Sequence, residues 1–357
     1  MFTGFLRRVL PSVQDAEIEE RRIKRILVVR QHDQLGDMLC AVPLLQALHN
    51  RFPKSSITLI ASPVNHRIML NHPYLAEVIN YDKRILRRSL PALWRFYRVL
   101  SSREFDLAVV PSTVSLSMTS DLIARLSGAR YRIGPKRLGE NPNPTSFCYT
   151  HAVDLDWVQT PRRHQSLRNL DILAPLHLPE ENLPCVIGIT DEEQNNAGRY
   201  LAELRKRFPL LVGIHPGAGK RENRWQPEKF ASVANRLFQD YKAGILITAG
   251  PMDEEPVRAM QTHLTCESVV VENKPIREVA AIINNLDLFI TNDTGIMHVA
   301  GAVKANVLAI FGPTDPLQWA PIGQKNRYIA AGDRNIASLS AEEVYNIISI
   351  ILAEIRR

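Results

Sequence analysis

The chain has 357 residues, 45% hydrophobic and 23% charged, a balance that excludes collagen, coiled coil and intrinsic disorder. Its length favours two domains over one core. The net charge of +7 is uneven: through Pro175 there are 25 Lys and Arg against 15 Asp and Glu, and afterwards 19 against 22. The first part, at +10, is expected to meet an anionic partner such as nucleic acid, a phospholipid surface or an acidic glycan.

The opening "MFTGFLRRVLPS" lacks the long apolar stretch and small-residue cleavage site of a secretory signal. No later apolar run reaches the ~18–20 residues of a bilayer span. The cytoplasm is therefore the expected location. Phe2, Phe5, Leu6, Val9 and Leu10 fall on one helical face with Arg7 and Arg8 off it, which suits a membrane interface or a packing arm equally.

Next comes "RILVV" (25–29), and then "QHDQLGDMLCAVP" leads into an apolar helix. A strand-to-loop-to-helix junction in an open α/β sheet is where ligands sit, so Asp37 is expected to meet a substrate. A carboxylate repels phosphate, so any phosphate must bind elsewhere. Short apolar runs follow at 56–61, 77–81 and 106–111, and again at 210–216, 244–250, 268–272, 287–292 and 307–313, alternating with helix-length segments. This is the pattern of mostly parallel sheets with crossover helices, an α/β class, in two series. The proline-rich "LAPLHLPEENLPC" (173–185) reads as a linker, giving domains 1–180 and 181–357 that face each other across a cleft. Near the end, Ser340 and Glu343 form a capping box for a closing helix.

Between the first strands, Arg84, Arg87, Arg88, Arg95 and Arg98 recur at helical offsets and are expected to form a basic stripe for an anionic acceptor or membrane surface. Asp154 and Asp156 have the spacing some sugar transferases use for a metal, but strand alternation alone puts both on one face. No metal site is expected. Cys40, Cys148, Cys185 and Cys266 are too dispersed for zinc or a disulfide framework; they are expected to be buried as small apolar side chains.

Two motifs in the second half suit an anion. In "LFITNDTGIMHVAGA" a strand ends and a helix begins; Asp293 or Thr294 can cap it, the amides of Thr294 and Gly295 point outward, and His298 lies on the first turn. "GIHPGAGKRENRW" offers Gly217, Lys220, Arg221 and Arg224 but departs from an NTPase phosphate loop, with Ile214 at the first glycine position and Arg221 after the lysine. A flexible loop closing on a diphosphate remains.

Taken in order, "ILVVRQHDQLGDMLCAVPLLQALHNRFP", "GIHPGAGKRENRWQPEKFASVANRL" and "NDTGIMHVAGAVKANVLAIFGPTDP" resemble glycosyltransferase family 9, the heptosyltransferases of lipopolysaccharide core assembly. The resemblance implies a GT-B fold of two Rossmann-like domains, with acceptor on the first and nucleotide sugar on the second. It implies inverting transfer, usually from ADP-heptose, to an anionic glycolipid, with no required metal, no cofactor beyond the nucleotide sugar and no nucleic acid partner. The enzyme would work in the cytoplasm or peripherally on the inner face of its membrane. By position, Asp37 becomes the base; Asp293, Thr294, Gly295 and His298 surround the donor diphosphate, with Gly217, Lys220 and Arg224 contributing. Asp253 or Glu254 would take the ribose hydroxyls, and Ile276 would wall the base pocket. Arg84, Arg87 and Arg88 would meet the acceptor. Asn223 stands where many relatives carry Lys, so which cation neutralises the phosphates is open among Arg224, Arg221 and Lys220. Competing readings are a sugar-nucleotide isomerase of similar fold and a silent sugar-nucleotide-binding protein.

Overall fold

The computed structural model describes residues 17–84, 89–179 and 184–356. They form two compact units that divide between Leu183 and Pro184. Each is built on a mostly parallel sheet.

In the first unit the β-strands are β1 (Arg25–Arg30), β2 (Ser56–Ala61), β3 (Glu77–Asn80), β4 (Leu107–Val109), β5 (Tyr131–Leu138), β6 (Asn141–Pro142) and β7 (His151–Leu155). Their order is β3-β2-β1-β4-β5-β6, with β7 also paired to β5. All pairings are parallel except β5 with β6. The helices that concern the site are α1 (Leu35–Leu39), α2 (Val42–Arg51), α3 (Pro63–Met69), α4 (Leu90–Ser101), α5 (Met118–Leu126) and α6 (Gln165–Leu170). Leu27, Val29, Ile60 and Ala108 from the strands, with Val110 just after β4, bury against Phe96 and Leu100 of α4 and Ile123 of α5. Burial of such side chains stabilises by roughly 1.5–3 kcal/mol each. β1, β2 and β4 are apolar along nearly their whole length because both of their faces are buried.

The second unit has β8 (Leu210–His215), β9 (Ala243–Ala249), β10 (Ser268–Glu272), β11 (Leu288–Asn292), β12 (Val307–Phe311) and β13 (Asn326–Ala330). Their order, β10-β9-β8-β11-β12-β13, is that of a doubly wound fold, and every pairing is parallel. Its helices include α7 (Asp191–Arg207), α8 (Pro227–Tyr241), α9 (Glu254–Thr262), α10 (Ile276–Asn284), α11 (Gly295–Ala302), α12 (Pro316–Trp319) and α13 (Ala341–Ile355). The Ser340 capping box on α13 is present, and Thr190 with Glu193 makes a second one on α7. Two Rossmann-like units of this kind make an α/β GT-B architecture.

Several expectations change. The arginine stripe is not one helix: Ser89 is extended and caps α4 through its hydroxyl, so Arg84 lies on other backbone than Arg95 and Arg98. Arg87 and Arg88, like the N-terminal Phe2, Phe5, Leu6, Val9 and Leu10, lie outside the described residues. The start of the expected linker is not a linker: Ile172, Leu173 and Leu176 are buried within a 3-10 helix, Asp171–Leu176. Cys40 and Cys148 are buried, but Cys185 and Cys266 only partly so.

Candidate functional site

In an open α/β sheet, neighbouring strands whose connections leave toward opposite faces open a crevice beyond their carboxyl ends. In the first unit that switch lies between β1 and β4, and in the second between β8 and β11. The loop after β1 leads into Asp37, on the first turn of α1. The loops after β8 and β11 carry Gly217, Lys220 and Arg224, and Asp293, Thr294 and Gly295.

Asp37 sits in the first turn of α1 and is 9% exposed. It is not the cap of that helix; Gln34 holds the cap position and makes no side-chain cap bond. Burial raises the carboxyl above its ordinary pKa, and the positive charge of Arg30 opposes the rise. Arg30 ends β1 at 2% exposure, an unusual place for an arginine. Its Nη1 donates to the Pro111 carbonyl at 3.1 Å and Nη2 to the Asp37 carbonyl at 3.5 Å, while Nε makes no bond among the described residues. The guanidinium therefore ties the loop after β4 to the backbone of Asp37 itself. No sequence signal separates this buried arginine from a surface one.

The rest of the β1 loop is fixed by neighbouring elements. His32 contacts Ser115 Oγ through Nε2 at 3.0 Å, and its carbonyl accepts from Asn65 Nδ2 at 2.6 Å. Burial, then Arg30 and Lys83, push the imidazole down to about 4 against the pull of Asp33, so His32 is neutral near pH 7. Gln31 Nε2 donates to Ser117 and Ser120. The result is a rigid loop that holds one carboxylate at the switch point.

In the second unit Asn292, at the end of β11, is the organiser. Its Nδ2 donates to the Pro216 and Gly217 carbonyls and its Oδ1 accepts from the Trp225 amide, so the β8 loop is sewn to the β11 loop at both ends. Trp225 is fully buried and donates from Nε1 to the Leu339 carbonyl. Sequence reading passed over Asn292 because its partners are about 70 residues away. Asp293 does not cap α11, and neither does the Thr294 side chain. The Asp293 carboxylate instead accepts from Thr314 Oγ1 at 2.6 Å and Asn223 Nδ2 at 3.2 Å. Burial raises its pKa; the Thr314 bond and the Lys220 charge oppose that. With no side chain filling the cap position, the first amides of α11 remain available to an anion.

Arg224 is engaged twice, by the Ala218 carbonyl through Nε and by Glu255 through Nη1. Lys220 is exposed and close enough to act on Asp293. Asn223, the departure from the family pattern, is thus a neutral partner to Asp293, with Lys220 the cation on the same side. Asp253 turns inward: Oδ2 accepts from the Gly250 amide at 2.8 Å and lies 3.6 Å from His215 Nε2. Burial lowers the His215 pKa against the opposing charge of Asp253. Glu254 is on the surface, paired with Arg258. Ile276 begins α10 and is half-buried, and His298 is buried on α11 with its ring 6.4 Å from that of Trp319.

Asp154 pairs with Lys136 and Arg137, and Asp156 with Arg137. Among the described residues no group of three or more His, Cys, Asp and Glu is placed to hold a metal, and no helix is long and apolar enough to cross a membrane.

Residues 93–347 match the profile of Glycosyltransferase family 9 (heptosyltransferase). Lipopolysaccharide heptosyltransferase 3 of Escherichia coli K12 is 23% identical over 298 residues, covering 80% of this chain and 82% of that protein. A family 9 glycosyl transferase from Veillonella parvula superposes with a TM-score of 0.82 at 22% identity, over 95% of this chain and 100% of the other. The E. coli ADP-heptose lps heptosyltransferase II gives 0.78 at 20% identity, over 93% and 100%. With the family's motifs lying on the two switch points, the chain belongs to glycosyltransferase family 9 and is a glycosyltransferase.

Proposed function

We propose that this enzyme transfers a heptose from ADP-heptose to a sugar of a lipopolysaccharide core or related anionic glycolipid, by single displacement with inversion. The observation that carries the reading is Asp37, a buried carboxylate with no bonded partner among the described residues, held at the switch point of the first sheet. An acceptor hydroxyl becomes acidic only as its bond to the anomeric carbon forms, and a positioned carboxylate takes the proton then. The first unit takes the acceptor, with Arg84, Arg87 and Arg88 on its side, and the second the nucleotide sugar.

On the donor side, the amides of Thr294 and Gly295 receive the diphosphate with His298 beside them, and Lys220 supplies the cation, because Arg224 is already held by Ala218 and Glu255. Gly217 lets the β8 loop lie close to Asp253. Asp253 or Glu254 serves the ribose, and Ile276 the base. The leaving diphosphate is neutralised by these groups without a metal, and the reaction takes place on the cytoplasmic side. An isomerase would have no use for a second substrate at Asp37, and a silent binding protein no use for a carboxylate there.

Incubation with a panel of nucleotide sugars and truncated core acceptors, read by product mass, tests the proposal. The expected result is a one-heptose mass increase with ADP-heptose. Conversion of a nucleotide sugar without acceptor, or no product from any heptose donor, would overturn it.

A further inference from the structure

The two sides of α4 differ. Its inner side is ordinary core: Phe96 packs edge-on to Tyr81 at 5.1 Å, and Leu100 is fully buried. Its outer side exposes Leu90 (81%), Trp94 (62%) and Val99 among exposed Arg95 and Arg98. Leu90, Trp94 and Arg98 follow at four-residue steps and so share one line along the helix. The Arg98 guanidinium lies 4.6 Å over the Trp94 ring. The helix, LPALWRFYRVLS, contains no acidic residue.

We propose that this face seats the enzyme on an anionic bilayer surface, with Trp94 and Leu90 in the headgroup–acyl boundary and Arg95 and Arg98 among the headgroups. This deepens the reading of an anionic glycolipid acceptor by assigning the surface through which the first unit meets the lipid. Three features favour a membrane over a protein partner. Tryptophan is enriched at the membrane interface because its ring is apolar and its N–H polar. Arginine beside it reaches outward with its charge while its stem and stacked plane lie along apolar surface. The face also carries no acidic side chain, so a uniformly anionic lipid surface meets no like charge along it. The short helix and its charge also match an interfacial amphipathic segment, whose attachment combines apolar burial with attraction to anionic lipid.

The test needs neither donor nor acceptor, so its failure leaves the transfer reading standing, and failure of that reading leaves this one standing. The full-length protein is mixed with phosphatidylcholine vesicles with and without 30% phosphatidylglycerol. Sedimentation gives the bound fraction and tryptophan emission the environment. Binding with a blue shift is expected on the anionic vesicles only. Each basic side chain near such a surface contributes about fivefold in partitioning, so Arg95→Gln/Arg98→Gln is expected to lose roughly 25-fold. Trp94→Ser is expected to abolish the blue shift, and Leu90→Ser/Trp94→Ser to weaken binding more than tenfold with an unchanged circular dichroism spectrum. These positions are exposed, so folding is not at stake. Absence of vesicle binding, equal binding to both vesicle types, or wild-type binding by the Leu90/Trp94 variant would each overturn the proposal; the last would place the seat elsewhere, residues 1–16 included.

Discussion

Gly217→Ala isolates the loop that the proposed donor site depends on. A Cβ at Gly217 would stand 2.0 Å from Asp253 Oδ1 and 2.3 Å from its Cγ, where ordinary contact needs well over 3 Å, so the carboxylate has to retreat by more than an ångström. That carboxylate is buried and bonded to the Gly250 amide at 2.8 Å. Loss of a charge-assisted bond costs about 1.5–3 kcal/mol and overpacking about 1–3 kcal/mol, part of it shared, so about 2–4 kcal/mol is expected. For a domain of this size each kcal/mol moves Tm by roughly 2–4 °C. Gly219→Ala is the matched control, since a Cβ there meets nothing within 4 Å. Calorimetric melting and ADP titration of both variants should show Gly217→Ala melting roughly 5–15 °C lower and binding ADP more weakly, and Gly219→Ala close to wild type. Equal behaviour of the two variants would refute the idea that the β8 loop is held by close contact with Asp253.

Three further outcomes follow from the site. Asp37 must be ionised to accept a proton, so kcat falls as pH drops through its pKa; removing the opposing charge of Arg30 raises that pKa. The acid-side fall in kcat should therefore begin at higher pH in Arg30→Met and stay near wild type in Arg30→Lys; a uniform loss at every pH would show a purely structural arginine. Lys220→Ala should raise donor KM about tenfold, at the low end for a charge-assisted contact because the side chain is exposed, whereas Arg224→Ala should act more on loop stability, read by melting. Asp293 has its pKa raised by burial, so it gains its negative charge beside the proposed diphosphate site as pH rises; ADP affinity should fall over that range more in wild type than in Asp293→Asn, and identical pH profiles would remove Asp293 from the donor site.

What could be read in the sequence followed physical type. Strands buried on both faces announce themselves as apolar runs, and β1, β2, β8, β9, β11 and β12 lie close to where those runs stand. β5 was hidden because Gly134 and Pro135 interrupt it, and β13 because it is a largely exposed, polar edge strand. The position of Asp37 beyond a strand, though not its role, was legible. Arg30 and Asn292 were not, since a buried arginine and a long-range amide look like any other in one dimension. α4 was half legible: its arginines stood out, while the exposure of Leu90 and Trp94 depends on which side Phe96 and Leu100 turn to the core.

The central claim is that Asp37 is the base of a heptosyl transfer, and Asp37→Asn tests it most directly. Asn keeps shape and polarity but cannot take the proton, and a positioned base contributes roughly 10²–10⁴ in rate. With ADP-heptose and acceptor saturating, kcat should fall by a factor in that range while ADP affinity, measured by calorimetry, stays as in wild type. Full turnover in Asp37→Asn, with the inverted anomer as product, would contradict the account.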